Sequence, residues 1–422
     1  MDLGSRAMPL AIDATVGGSA VLAERLLNFV LFIAVASSSI VFIEPAPHDL
    51  VMFVLLVACV AARLPLDRKL VPLLLLLGTW LVGGLLSLAQ VGDQPKAIAY
   101  MGISAYLATA GAMFACLFSD ANPARLSILR RAYIVAALIA TAAGFIGFFR
   151  LLPGWQMFLL NDRVSATFKD PNVFGPFLIF PLLLLIISLF SRGVRLLQLA
   201  TVIALLGGLF MSFSRGAWMH FVVSAFVATA MLFVVTPEPR MRMRIVSLSI
   251  ASIVVVSLVV LALLSIESVR DVFLIRAQLL QSYDVGPGGR FGLQELALDA
   301  ILEHPNGMGP EAFSLAYGGQ QHDVYMEGFL VYGWLGGAAY LTLIVVTLLL
   351  GLRCASKCKP TAWQPYLIAA FATYVGEIGE GTIIDSDHWR HFFLVVGMVW
   401  GLSIATLNDQ RRQFAATNAR PG

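Results

Sequence analysis

Residues 329–352 read FLVYGWLGGAAYLTLIVVTLLLGL, a run of 24 residues without a charge. Wound as a helix at 1.5 Å per residue, it reaches ~36 Å, enough to cross a hydrocarbon core of ~30 Å. Just before it, residues 318–328 read GGQQHDVYMEG and set His322, Asp323 and Glu327 at the mouth of the apolar segment. Three ionisable groups in six residues invite a chemical explanation. Which chemistry depends on the side of the membrane they face.

The rest of the chain repeats the pattern. Its 422 residues are 59% hydrophobic and 13% charged, too little charge to cover a soluble domain of that length. Apolar blocks separated by short polar clusters make it an all-α polytopic membrane protein, a single integral domain over residues 1–422. Hydropathy predicts about twelve spans, near 26–43, 49–62, 70–89, 97–118, 132–152, 173–190, 194–211, 217–235, 246–265, 324–350, 362–378 and 391–407.

Basic residues orient these spans. The connections after every second span, with the two termini, hold 19 of the 28 Lys and Arg but only 7 of the 25 Asp and Glu. The alternate connections hold the remaining 9 basic and 18 acidic residues. The basic side belongs in the cytoplasm, so both termini are expected there. Residues 150–172, 212–216 and 266–323 are then expected outside. The last is too long for a bare connector. Within it, GRFGLQELALDAILEH spaces Leu293, Leu296, Ala297, Ala300 and Ile301 as an amphipathic helix against the rim of the membrane domain.

The outer polar residues carry the candidate chemistry. Arg215, in MSFSRGAW, lies between two apolar runs and needs an anion, a carboxylate or headgroups as partner. Arg290, in DVGPGGRFG, opens the amphipathic helix, where unpaired amides already favour an anion. Arg163, Lys169 and Asn172, in NDRVSATFKDPNVFG, add polar groups on a loop. His322 is suited to general-base work at physiological pH, with Asp323 or Glu327 to orient it. In GEIGEGTIIDSDHWRH, His388 and Arg390 are candidates for saccharide contact. Each has a plainer reading: a snorkelling or ion-paired arginine, a helix-capping histidine, a solvated connection anchored by Trp389. No metal-ligand cluster, P-loop, dinucleotide fingerprint or serine-hydrolase elbow is present in the sequence.

FKDPNVFGPFL, SFSRGAW, GGRFGLQELALDAILEHPNGMG and HDVYMEGFLVYGWLGG, in that order over residues 160–345, resemble the O-antigen ligase and polymerase superfamily of bacterial envelope glycosyltransferases. The resemblance implies an inner-membrane enzyme that uses an undecaprenyl-diphosphate-linked saccharide at the periplasmic face, without a nucleotide donor, metal or other cofactor. It matches the family's two arginines and histidine to Arg215, Arg290 and His322. The arginines would hold the diphosphate and the histidine would activate the acceptor hydroxyl, giving inverting transfer. Membrane lipid, a chain-length regulator and a flippase are the partners it implies, and no nucleic acid. The segment IIDSDHWRHFFLVVGMVWGL is similar to exopolysaccharide-polymerase-like members. This puts polymerisation of repeat units first, with ligation of finished glycan to lipid A–core or another acceptor as the alternative. A polysaccharide or lipid-linked-sugar transporter is a further alternative, weakened by the gathering of charge at one face.

Overall fold

The computed structural model describes residues 18–418, apart from 44, 65, 92–93, 194, 279–285, 287 and 358–360. The first half of the bundle comprises α1 (Gly18–Ala36), α2 (Pro47–Ala61), α3 (Val71–Leu88), α4 (Pro95–Phe118) and α5 (Pro123–Phe148). A two-stranded hairpin, β1 (Leu159–Leu160) and β2 (Arg163–Val164), leads into α6 (Pro171–Phe177), α7 (Ile179–Arg192) and α8 (Leu196–Met211). Next come α9 (Arg215–Val235) and α10 (Pro239–Leu264). Three shorter helices follow, α11 (Glu267–Arg276), α12 (Arg290–Glu303) and α13 (Ala312–Tyr317). The chain ends with α14 (Val324–Lys357), α15 (Gln364–Glu380) and α16 (Arg390–Asn418).

The chain is an all-α polytopic membrane protein. All twelve expected segments hold a helix, though not all of these helices are of membrane-crossing length. Among the described residues, nine helical stretches are long and apolar enough to cross a membrane. α2 and α8, with 15 and 16 residues, are shorter apolar helices. α15 has 17 residues and carries two glutamates near its end. Prolines explain many of the starts: Pro47, Pro95, Pro123, Pro171 and Pro239 each stand first in their helix, where no amide donor is needed.

Without a hydrophobic drive between helices in lipid, close backbone approach holds the bundle together. α14 packs along α3, α16 along α4, and α15 against α9. At the first contact, a Cβ on Gly83 would come within 2.5 Å of the Tyr332 carbonyl oxygen. α16 is central, with Val395, Met398, Val399 and Leu402 all fully buried. α10 is peripheral: Ile245 is its one buried residue.

α14 is not the continuous helix its hydropathy predicts. It breaks at Gly333, with φ 64° and ψ −174°. The turn after α12 fills the break, where Trp334 N–H donates to the Pro305 carbonyl at 2.8 Å and Met308 N–H to the Leu330 carbonyl at 2.7 Å. α12 is thereby fixed to α14 through Leu293, Ala297, Ala300, Phe313 and Leu330. The amphipathic stripe is narrower than its spacing predicts, since Leu296 stays 38% exposed and Ile301 is only partly buried.

Candidate functional site

The β1–β2 hairpin turns through Asn161 (φ 51°) and Asp162 (φ 59°), the two left-handed positions of a tight two-residue loop. This turn aims Arg163 at the α8–α9 corner. Its Nε donates to the Ser212 carbonyl at 3.1 Å and its Nη2 to Asn172 Oδ1 at 2.6 Å. Asn172 is itself held by Asp170, whose carboxylate accepts from the Asn172 N–H at 2.7 Å and caps α6.

At the corner, Phe213 takes φ 48°, and the Ser214 hydroxyl caps α9 by accepting from the Ala217 N–H at 3.3 Å. Arg215 is the first residue of α9 and donates to the Gln278 carbonyl at 2.6 Å. Arg290 is the first residue of α12. Both arginines therefore add charge where unpaired amides and the helix dipole already favour anions.

His322 lies just before α14, in the left-handed region at φ 52°. Its side chain is 42% exposed, and its Nδ1 stands 3.2 Å from Asp385 Oδ2. A carboxylate accepts, so Nδ1 carries the hydrogen of the neutral ring and Nε2 keeps a lone pair. Burial pushes the Asp385 carboxyl above the usual range. The His322 hydrogen bond opposes that shift, Asp387 adds to it, and Arg290 opposes it.

Arg163, Asn172, Arg215, Arg290 and His322 line one cavity of about 750 Å³, within the size range of small-molecule sites. Arg276 joins them, and among the described residues Glu380 is the one carboxylate in the lining. Among the described lining residues four guanidinium groups stand with one acid, a balance of charge that favours an anion. The other candidates lie elsewhere. Asp323 accepts from the Tyr325 and Met326 amides at 2.9 Å each, starting α14 rather than orienting His322. Glu327 accepts from Gln321 at 2.8 Å and belongs to a network with Tyr100 and Asp387. His388 contacts the Ser104 hydroxyl at 2.9 Å and packs on the Tyr100 ring. Arg390 makes a two-pronged ion pair with Asp49, at 2.8 and 2.9 Å, joining α16 to α2. Lys169 is exposed and outside the cavity lining.

Reading the sequence missed three contributors. Arg276 ends a helix that gives no motif. Asp385, not the sequence neighbours Asp323 and Glu327, meets the His322 ring, and it lies 63 residues away. The buried pairing of Glu380 with His220, at 2.8 Å, joins residues 160 apart.

No curated protein matches the chain. Residues 199–341 match the family model described as O-antigen ligase, and that interval contains Arg215, Arg290 and His322. The likeness to that family thus spans residues 199–341, from α8 into α14.

Proposed function

We propose that the protein transfers a glycan from a polyprenyl-diphosphate carrier to a hydroxyl acceptor, at the periplasmic face of the inner membrane. The observation that carries this reading is the single cavity shared by Arg163, Arg215, Arg276, Arg290 and His322. A diphosphate is the anion such a cluster suits, because planar guanidinium groups bind phosphate oxygens in pairs. The family description supports ligation of glycan to an acceptor ahead of repeat-unit polymerisation, reversing the order drawn from residues 383–402. That last segment keeps polymerisation as the second reading.

In either case the acceptor oxygen attacks the anomeric carbon as its proton passes to His322 Nε2. The bond from that carbon to the diphosphate oxygen breaks with inversion. Arg215 and Arg290 meet the negative charge that grows on the leaving diphosphate, where fixed cationic donors act most strongly. Asp385 holds the imidazole in the tautomer that leaves Nε2 open, and stabilises the imidazolium once formed.

Purified protein in nanodiscs, supplied with lipid-linked saccharide, tests the reading. His322→Ala should lower turnover by about 10²–10⁴-fold, the range of a lost general base. Near-normal turnover by that variant would remove His322 from the chemistry. Product analysis separates the two activities: ligation moves glycan off the polyprenyl carrier, whereas polymerisation lengthens a ladder on it.

A further inference from the structure

Behind the arginines lies a buried acid and base that the transfer steps leave unused. Glu380 ends α15 and is 4% exposed; His220, in the second turn of α9, is 1% exposed. His220 Nδ1 stands 2.8 Å from Glu380 Oε2, and its Nε2 stands 3.0 Å from the Thr373 carbonyl oxygen. A carbonyl oxygen only accepts, so Nε2 carries a hydrogen. The contact between Nδ1 and Oε2 then holds one proton in either arrangement. A carboxyl donates to a neutral ring, or an imidazolium donates to a carboxylate. The pair is neutral as a unit both ways, so Glu380 does not cancel the positive charge of the cavity.

Both arrangements leave Glu380 Oε1 as an acceptor only. That oxygen is buried, and among the described residues no donor reaches it. It faces the backbone of Gly216, where a Cβ would come within 2.6 Å of it. Gly216 follows Arg215, and Glu380 lines the cavity that contains both. Buried acceptors of this kind are satisfied in working proteins, and Glu380 lines the cavity from which a bound molecule would supply the donor.

A diphosphate offers no donor to such an oxygen, and a polyprenyl chain offers none either. The sugar joined to the diphosphate does. Resting on the transfer reading above, we infer that Glu380 Oε1 accepts a hydrogen bond from a hydroxyl or amide N–H of that sugar. Glu380 is then a specificity-determining residue for the first sugar of the lipid-linked donor, and His220 is the positioning residue that fixes its carboxyl.

Calorimetric titration in nanodiscs tests this with two probes, undecaprenyl diphosphate and undecaprenyl-diphosphate-linked N-acetylglucosamine. Glu380→Leu should weaken the sugar-linked probe on the order of tenfold and leave the bare diphosphate unchanged, which also reports that the cavity has folded. Glu380→Gln should keep most of the sugar affinity, because its amide can donate to His220 Nδ1 while its carbonyl still faces the cavity. Equal weakening of both probes, no weakening of either, or a Gln variant as poor as the Leu variant would overturn the assignment. A wild-type protein that binds neither probe would defeat the transfer reading itself, and this assignment with it.

Discussion

His322 holds a left-handed backbone conformation that non-glycine residues seldom adopt, and its neighbours fix it from both sides. The next residue, Asp323, is tied to the first amides of α14, while Asp385 takes the ring at Nδ1. Burial raises the carboxyls of both Asp385 and Asp323. A carboxyl raised in the folded state binds its proton more tightly there than in the unfolded chain. Its stabilising contribution is fully present below the ordinary value, about 3.9, and is lost as pH rises through the raised one. Asp385→Asn removes this titration and leaves that of Asp323 in place. The wild type should therefore lose thermal stability relative to Asp385→Asn as the buffer moves from acid to neutral. A difference between the two proteins that stays constant across that window would show that Asp385 is not held as described. At this scale the sequence was partly legible. Arg215 and His322 stand out because each interrupts or borders an apolar run, where charge is costly, and Arg290 because it opens an amphipathic helix. The partners of His322 and His220 lie 63 and 160 residues away, beyond the reach of any local pattern.

The break in α14 decides where α12 can sit. Gly333 combines positive φ with tight quarters, since a Cβ there would lie 2.6 Å from the Asn306 carbonyl carbon. Gly333→Ala meets both the cost of an extended, positive-φ backbone that is nearly confined to glycine, about 1–3 kcal/mol, and that clash. We expect the turn at residues 305–309 to leave the break and α12 to loosen from α14. Protease cleavage within residues 288–323 should rise, and turnover should fall because Arg290 and His322 border that segment. Unchanged cleavage and turnover would mean that the break does not anchor α12. Hydropathy marks where the helices lie, and proline marks many of their starts, so most elements were legible. The break was not. Gly333 stands in YGWLGG, where glycines at 333, 336 and 337 look alike in sequence. Gly336 packs within the helix near Gly83, whereas Gly333 must turn the backbone to receive a loop distant in the chain.

For the whole molecule, the charge asymmetry and the cavity make a joint claim. The cavity lies at the end of the bundle where α9, α14 and α16 begin and α15 ends, the side poor in Lys and Arg apart from the arginines of the site itself. If basic connections are retained in the cytoplasm, the cavity opens outward. Single cysteines in a cysteine-free background test this in intact cells. Leu274 and Leu315, 60% and 71% exposed on α11 and α13, should react as cysteines with a membrane-impermeant maleimide added outside. A cysteine at exposed Arg240, before α10 enters the bundle, should react only after the cells are permeabilised. The opposite pattern would put the arginine cavity in the cytosol. It would also leave Arg240, Arg242 and Arg244 on the translocated side, against the retention of short basic connections. An outward-facing acceptor would then have no route to His322, and the transfer reading would fail at its first requirement.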